Sequence, residues 1–110
     1  MAKANGFIDN RIEIGKGVTR IRVFLGDILY LEGINGYSIF HLKERQVLSA
    51  KTLKFWQEQL PDNFMRVHRK YLVNDAHVME IQENSVLVMN GKTVNVLPIS
   101  RRKLKNLIVC

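Results

Sequence analysis

Only one of the 110 residues is cysteine, and it is the last, Cys110. A single thiol excludes an intramolecular disulfide, and the chain opens without a secretory signal; both predict a reducing, cytoplasmic setting. No apolar run approaches the roughly 18 residues a membrane-spanning helix needs, so no membrane partner is expected. The histidines, at 41, 68 and 77, have no metal-ligand spacing with one another or with the terminal cysteine. There is no Gly-rich phosphate loop, no nucleophile elbow and no pair of acids in a candidate pocket. Catalysis, a cofactor and a metal are therefore not expected. Repeats, linkers and low-complexity tracts are missing as well.

A chain this long holds one core but not two. Residues 1–6 read as a lead peptide without periodicity and residues 7–110 as a single domain. At 46% hydrophobic and 25% charged, the composition is that of an ordinary globular protein. The formal charge is +7, and its placement matters more than its size. Arg66, Arg69, Lys70, Arg101, Arg102, Lys103 and Lys105 fall in two acid-free windows of five residues. They are seven of the seventeen basic residues, and the other ten match the ten acids. The whole net charge thus resides in two short segments, which is the footprint of a surface for a polyanion.

Short apolar runs separated by turn residues mark the first half of the chain as an antiparallel meander. Phe7-Ile8 and Ile12-Glu13-Ile14 predict a first strand, with Gly15 and Gly17 bracketing a tight turn at Lys16. In Val18–Phe24, Thr19, Ile21 and Val23 share one face and Arg20 and Arg22 the other, for which a solvated face is the favoured reading. Gly26-Asp27 turns the chain into Ile28–Glu32, and Asn35-Gly36 suits a two-residue hairpin turn before Ser38–Leu42. From Lys51 to Leu60 the period becomes helical: Leu53, Trp56 and Leu60 face the core, Thr52 caps the start and Pro61 ends it. His77–Ile81 predicts another strand. Ser85–Met89 and Lys92–Val96 predict a hairpin turning at Asn90-Gly91, with Leu87 opposite Val94 on the core face. Ser100 is placed to cap a short terminal helix that carries Leu104, Leu107 and Ile108 inward.

The most informative stretch is Phe64–Asn74. Alternation through Phe64, Arg66 and His68 predicts a short strand, and Tyr71-Leu72-Val73 a more deeply buried one. Arg66, His68, Arg69 and Lys70 gather where these strands meet, and the pattern turns them outward. Arg66 shares the Phe64 face of a regular strand, so an ion pair with Glu32 is one expectation for it. His68 has two open readings, a contact to nucleic acid or a brace of the turn. Asn74 is expected to fix the turn that follows through its side chain.

This order of pieces resembles the LytTR-type DNA-binding domain, which usually forms the effector half of bacterial response regulators. The residues that carry the resemblance are Asp27–Glu32, Asn35–Tyr37, the helix ending at Leu60, Phe64–Asn74, Gly91 and Pro98–Arg102. The ordered string Phe-x-Arg-Val-His-Arg-x-Tyr-Leu-Val-Asn is its specific part. The resemblance implies a mainly β, elongated, multi-stranded antiparallel fold of about ten short strands, with one short internal helix and a short C-terminal helix. It also implies binding to direct-repeat sites in duplex DNA by loops inserted into successive major grooves. The base-reading positions it implies are Asn35 and Tyr37, Arg69, and the pair Arg101 and Arg102. Alignment of the apolar helix positions favours Arg102 within that pair.

The chemistry of the side chains is in line with those positions. Arginine bonds O6 and N7 of guanine together, a geometry lysine lacks. Lys70, Lys103 and Lys105, with His68 and Ser100, suit phosphate contacts that set register without reading sequence. Tyr37 either presents its hydroxyl to the DNA backbone or is an ordinary core residue with a polar tip. A rival reading is a basic interaction module for an acidic protein, which would tolerate lysine at 69 and 102 where groove readout would not. Single-stranded RNA binding fits less well, because the aromatics lie within the apolar runs. Most LytTR-type chains carry a receiver or sensor domain, so such a partner is expected on this chain or on another. With no apolar stripe left over, a monomer in solution that pairs on DNA is the expectation.

Overall fold

The computed structural model describes residues 10–16, 18–90 and 93–100. Ten strands and one helix occupy them: β1 (Arg11–Lys16), β2 (Thr19–Phe24), β3 (Ile28–Ile34), β4 (Tyr37–Leu42), β5 (Gln46–Ser49), α1 (Leu53–Gln59), β6 (Phe64–His68), β7 (Tyr71–Asn74), β8 (Val78–Ile81), β9 (Ser85–Asn90) and β10 (Thr93–Pro98). The central sheet has five strands in the order β5-β4-β3-β7-β6. The β1-β2 hairpin and the β10-β9-β8 sheet are separate from it, and every pairing is antiparallel. The fold is therefore mainly β and moderately elongated, 41 × 32 × 29 Å along its principal axes. The C-terminal helix expected from the sequence falls outside the described residues.

Both faces of the central sheet are covered, which explains why its middle strands are apolar without alternation. Leu31, Phe40 and Leu72 pack on one side with Ile12 and Ile14 of β1, Val23 of β2, and Leu53 and Trp56 of α1. Tyr30, Val67 and Val73 pack on the other with Val86, Val88, Leu97 and Ile99. Neighbours in sequence such as Leu72 and Val73 thus enter different cores. The helix is held where its sequence places it: Thr52 accepts from the Phe55 amide at 3.1 Å, and the Trp56 indole donates to Ser49 Oγ at 2.9 Å.

Asn74 has a larger task than the single turn expected of it. It is 2% exposed; its Oδ1 accepts from the Ala76 amide (3.0 Å) and from Asn63 Nδ2 (2.8 Å), and its Nδ2 donates to the Ile28 carbonyl (2.9 Å). One side chain therefore joins the end of β7, the approach to β6 and the start of β3.

Four local expectations change. β1 continues through Lys16, which pairs with Thr19, so Lys16 belongs to the strand and not to the turn. The first hairpin is a sheet of its own and does not extend the meander, because β2 leads through a 3-10 turn at Leu25–Asp27 before β3 begins. His77 closes a second 3-10 turn, Asp75–His77, ahead of β8 instead of lying within the strand. In the last hairpin Asn90 pairs with Thr93 and Val86 with Leu97, so Asn90 belongs to the strand and not to the turn. The expected register would have set Val86 opposite Asn95. The observed one joins the apolar side chains Val86, Val88 and Leu97 on the buried face and leaves Val94 and Val96 exposed.

Candidate nucleic-acid interface

The β3–β4 turn is made by two residues that accept positive φ, Asn35 at 46° and Gly36 at 82°. Ile34 pairs with Tyr37, closing the two-residue hairpin that the dipeptide predicts. Asn35, Gly36 and Tyr37 are all exposed.

The β6–β7 turn is built differently. Arg66 pairs with Leu72 and His68 with Tyr71, so Val67 is an extra residue in β6. Val67 is fully buried, and this bulge puts His68 on the Tyr71 face, with the two ring centroids 5.9 Å apart. The reversal at Arg69-Lys70 is then secured by side chains. His68 Nδ1 accepts from the Lys70 amide at 3.2 Å. Arg66 Nε donates to the His68 carbonyl at 3.0 Å and its Nη2 to the Arg69 carbonyl at 2.6 Å. The Lys70 carbonyl accepts from the Gly33 amide of β3 at 2.8 Å. Arg69 and Lys70 are exposed. Among the described residues the Arg69 side chain makes no hydrogen bond or ion pair, while its carbonyl is held by Arg66.

Two expectations are corrected here. Arg66 is folded over the turn, not turned outward. It makes no ion pair with Glu32 among the described residues: its bonds go to neutral oxygens, including Gln57 Oε1 at 2.7 Å, and partial burial lowers its pKa. Glu32 lies instead 3.0 Å from His41 Nε2, beside the Tyr30 ring that stacks on His41 at 4.2 Å. For His68, the brace of the turn is what the geometry shows. Partial burial, then repulsion from Arg69, Lys70 and Arg66, lowers its pKa. Acceptance at Nδ1 by the neutral ring leaves the hydrogen on Nε2, a donor still suited to a phosphate oxygen.

These turns lie at one end of the central sheet. Glu32 on β3 pairs with Tyr71, so the Arg69-Lys70 turn sits beside the last residues of β3, one step before Asn35-Gly36. Ser100 arrives at the same place, its amide donating to the Val67 carbonyl at 2.9 Å. That bond engages the Ser100 amide, so any phosphate contact from this residue would have to use its hydroxyl. Arg101, Arg102, Lys103 and Lys105 lie outside the described residues. The sequence missed Gln57, whose Oε1 accepts from Arg66. It carries no local signal, since only the packing of α1 brings it near the turn. Arg20 and Arg22 lie 3.8 and 3.6 Å from Glu13 with their side chains largely in solvent, the solvated face expected of them.

One neutral turn, Asn35-Gly36, and one cationic turn, Arg69-Lys70, thus stand exposed at one end of a doubly covered sheet. Comparison with known proteins decides the family, because the LytTr DNA-binding domain pattern matches residues 19–108. The chain belongs to the LytTr DNA-binding domain family. This is a family of DNA-binding domains, not of enzymes. The chain is 31% identical over 101 residues to the CO-responsive transcriptional regulator RcoM of Rhodospirillum rubrum, covering 88% of this chain and 43% of that protein. It is 31% identical to the sensory transduction protein LytT of Bacillus cereus over 90 residues, 79% of this chain and 37% of the other. Over 79 residues it is 33% identical to the transcriptional regulatory protein BtsR of Escherichia coli, 67% of this chain and 31% of that one. The chain thus spans less than half the length of these relatives. Its fold is similar to a solved LytTr DNA-binding domain of a Bacillus cereus protein, with a TM-score of 0.72 at 20% identity, over 89% of this chain and 93% of the other.

Among the described residues no three His, Cys, Asp or Glu side chains converge on a point that would hold a metal. No helix among them is long and apolar enough to cross a membrane.

Proposed function

We propose that this LytTr domain reads duplex DNA sequence-specifically through loops in the major groove, as the effector part of a bacterial transcriptional regulator acting in the cytoplasm. The observation that carries the reading is the clustering of the Asn35-Gly36 turn, the Arg69-Lys70 turn and Ser100 at one end of a rigid sheet. Arg69 is the first base reader, with a guanine as its natural target. Asn35 and Tyr37 form a second contact region, and Arg101 and Arg102, which follow Ser100 directly, supply a third. Lys70, Lys103 and Lys105, with His68 Nε2 and the Ser100 hydroxyl, take phosphates. The target is direct-repeat half-sites read in successive major grooves. Two copies of a domain that is monomeric in solution would then occupy adjacent repeats. Because the matched regulators are longer than this chain, a receiver or sensor domain, in cis or in trans, is the proposed source of control.

Selection from random-sequence duplexes tests this, run beside an Arg69→Ala, Arg102→Ala double variant. A short motif repeated at about one helical turn, lost in the variant, is the expected outcome. Weak binding with no enriched motif would overturn groove readout. An acidic protein partner would then be the better reading, and Arg69→Lys with Arg102→Lys would retain binding to it.

A further inference from the structure

Two arginines lie three residues apart in this turn, and the structure gives them opposite fates. Arg69 is exposed, whereas all three nitrogens of Arg66 are engaged: Nε with the His68 carbonyl, Nη2 with the Arg69 carbonyl and Nη1 with Gln57 on α1. A guanidinium is a rigid planar fork. Two successive carbonyls held by its edge are fixed relative to that plane, and the third nitrogen fixes the plane to the helix. The bulge at Val67 releases β6 from regular pairing at this point, so the strand ladder alone does not set the path of the turn.

We propose that Arg66 and Gln57 are positioning residues for DNA readout, orienting the Arg69 backbone so that its side chain meets a base edge. The proposal rests on the groove reading above. The bond to the Arg69 carbonyl is exposed and that to the His68 carbonyl part-buried, so water can replace the clamp at the first and in part at the second. Loss of the clamp therefore changes the shape of the turn more than the stability of the domain. A base contact needs the fork within hydrogen-bond reach of two atoms at once, whereas a phosphate contact tolerates a displaced cation. Removing the clamp should consequently weaken discrimination and leave general affinity in place. Lysine at 66 keeps the charge but cannot hold both carbonyls and Gln57 in one plane.

The test uses the full chain with Arg66→Lys, Gln57→Ala and Arg69→Ala. The amide NMR spectrum of each free protein is recorded, and binding is measured to the selected duplex, to its single base-pair variants and to unrelated duplex across a salt series. Arg66→Lys and Gln57→Ala should fold, shift the amide resonances of residues 68–70, and keep the affinity and salt slope for unrelated duplex. Each should lose roughly tenfold of the discrimination at the base pair that Arg69→Ala no longer reads, and Arg66→Lys should add little to Arg69→Ala. Full discrimination in both variants would overturn the proposal. So would an equal loss of affinity for selected and unrelated duplex in Arg66→Lys, the pattern of a direct phosphate contact. If Arg69→Ala itself changes no base preference, the groove reading has failed, and its failure is told apart by that variant.

Discussion

The amide of Gly33 donates to the carbonyl oxygen of Lys70 across 2.8 Å, so the strand that ends in one exposed turn carries the other on its flank. The two turns are therefore joined through the backbone of β3. At Gly33 a β-carbon would meet the Leu53 side chain at 3.4 Å, an ordinary contact at its tight limit. Gly33→Ala should cost less than about 1 kcal/mol, while Gly33→Val should displace Leu53 and cost about 1–3 kcal/mol. Urea denaturation of both variants checks the difference, and equal midpoints would show that α1 yields freely there.

Asn74 offers a second test, since it joins three segments from a buried position. Asn74→Ala leaves the Ile28 carbonyl and the Ala76 amide without their partner. At roughly 1–3 kcal/mol for the buried Ile28 carbonyl, and less for the Ala76 amide that water can reach, a loss of about 2 kcal/mol is expected. Chemical denaturation measures it, and a loss below about 1 kcal/mol would mean that water enters the site.

The register of the last hairpin separates two neighbouring side chains. Leu97 is buried against Val86, whereas Val96 is 64% exposed. Leu97→Ala should destabilise by about 2–5 kcal/mol, and Val96→Thr should stay within about 0.5 kcal/mol. The opposite ranking in thermal melts would support a turn at Asn90-Gly91.

His68 gives a pH dependence with a definite sign. Its folded pKa lies below the ordinary 6.5, through partial burial first and then the cations Arg69, Lys70 and Arg66. As pH falls, the unfolded chain therefore takes up the proton first. The contribution to stability is fully present above 6.5 and is lost as pH drops through the folded value. Protonation also places a hydrogen on Nδ1 and removes the acceptor for the Lys70 amide. The effect is read as a difference between the variant and the parent. The midpoint of His68→Gln should fall less than that of the parent between pH 6.5 and about pH 5. Parallel curves would assign the slope to another group.

Where a feature was fixed by near neighbours, the sequence alone determined it. Asn35-Gly36 specifies its turn because both residues accept positive φ, and Thr52 with Leu53, Trp56 and Leu60 specifies a capped, one-faced helix. Phe64–Asn74 announced two strands and a cationic junction, because short period and charge clustering are written in consecutive residues. Tertiary structure decided the rest. The register of β9 on β10 depends on which valines meet the opposite core, and the candidate registers all look apolar in sequence. Arg66 and Arg69 are the same residue type in one short stretch, yet one is engaged and the other exposed. A Gln57 carbonyl delivered by α1 and a bulge at Val67 make that distinction, and both arise only when the helix and the far sheet pack on opposite faces of the central one.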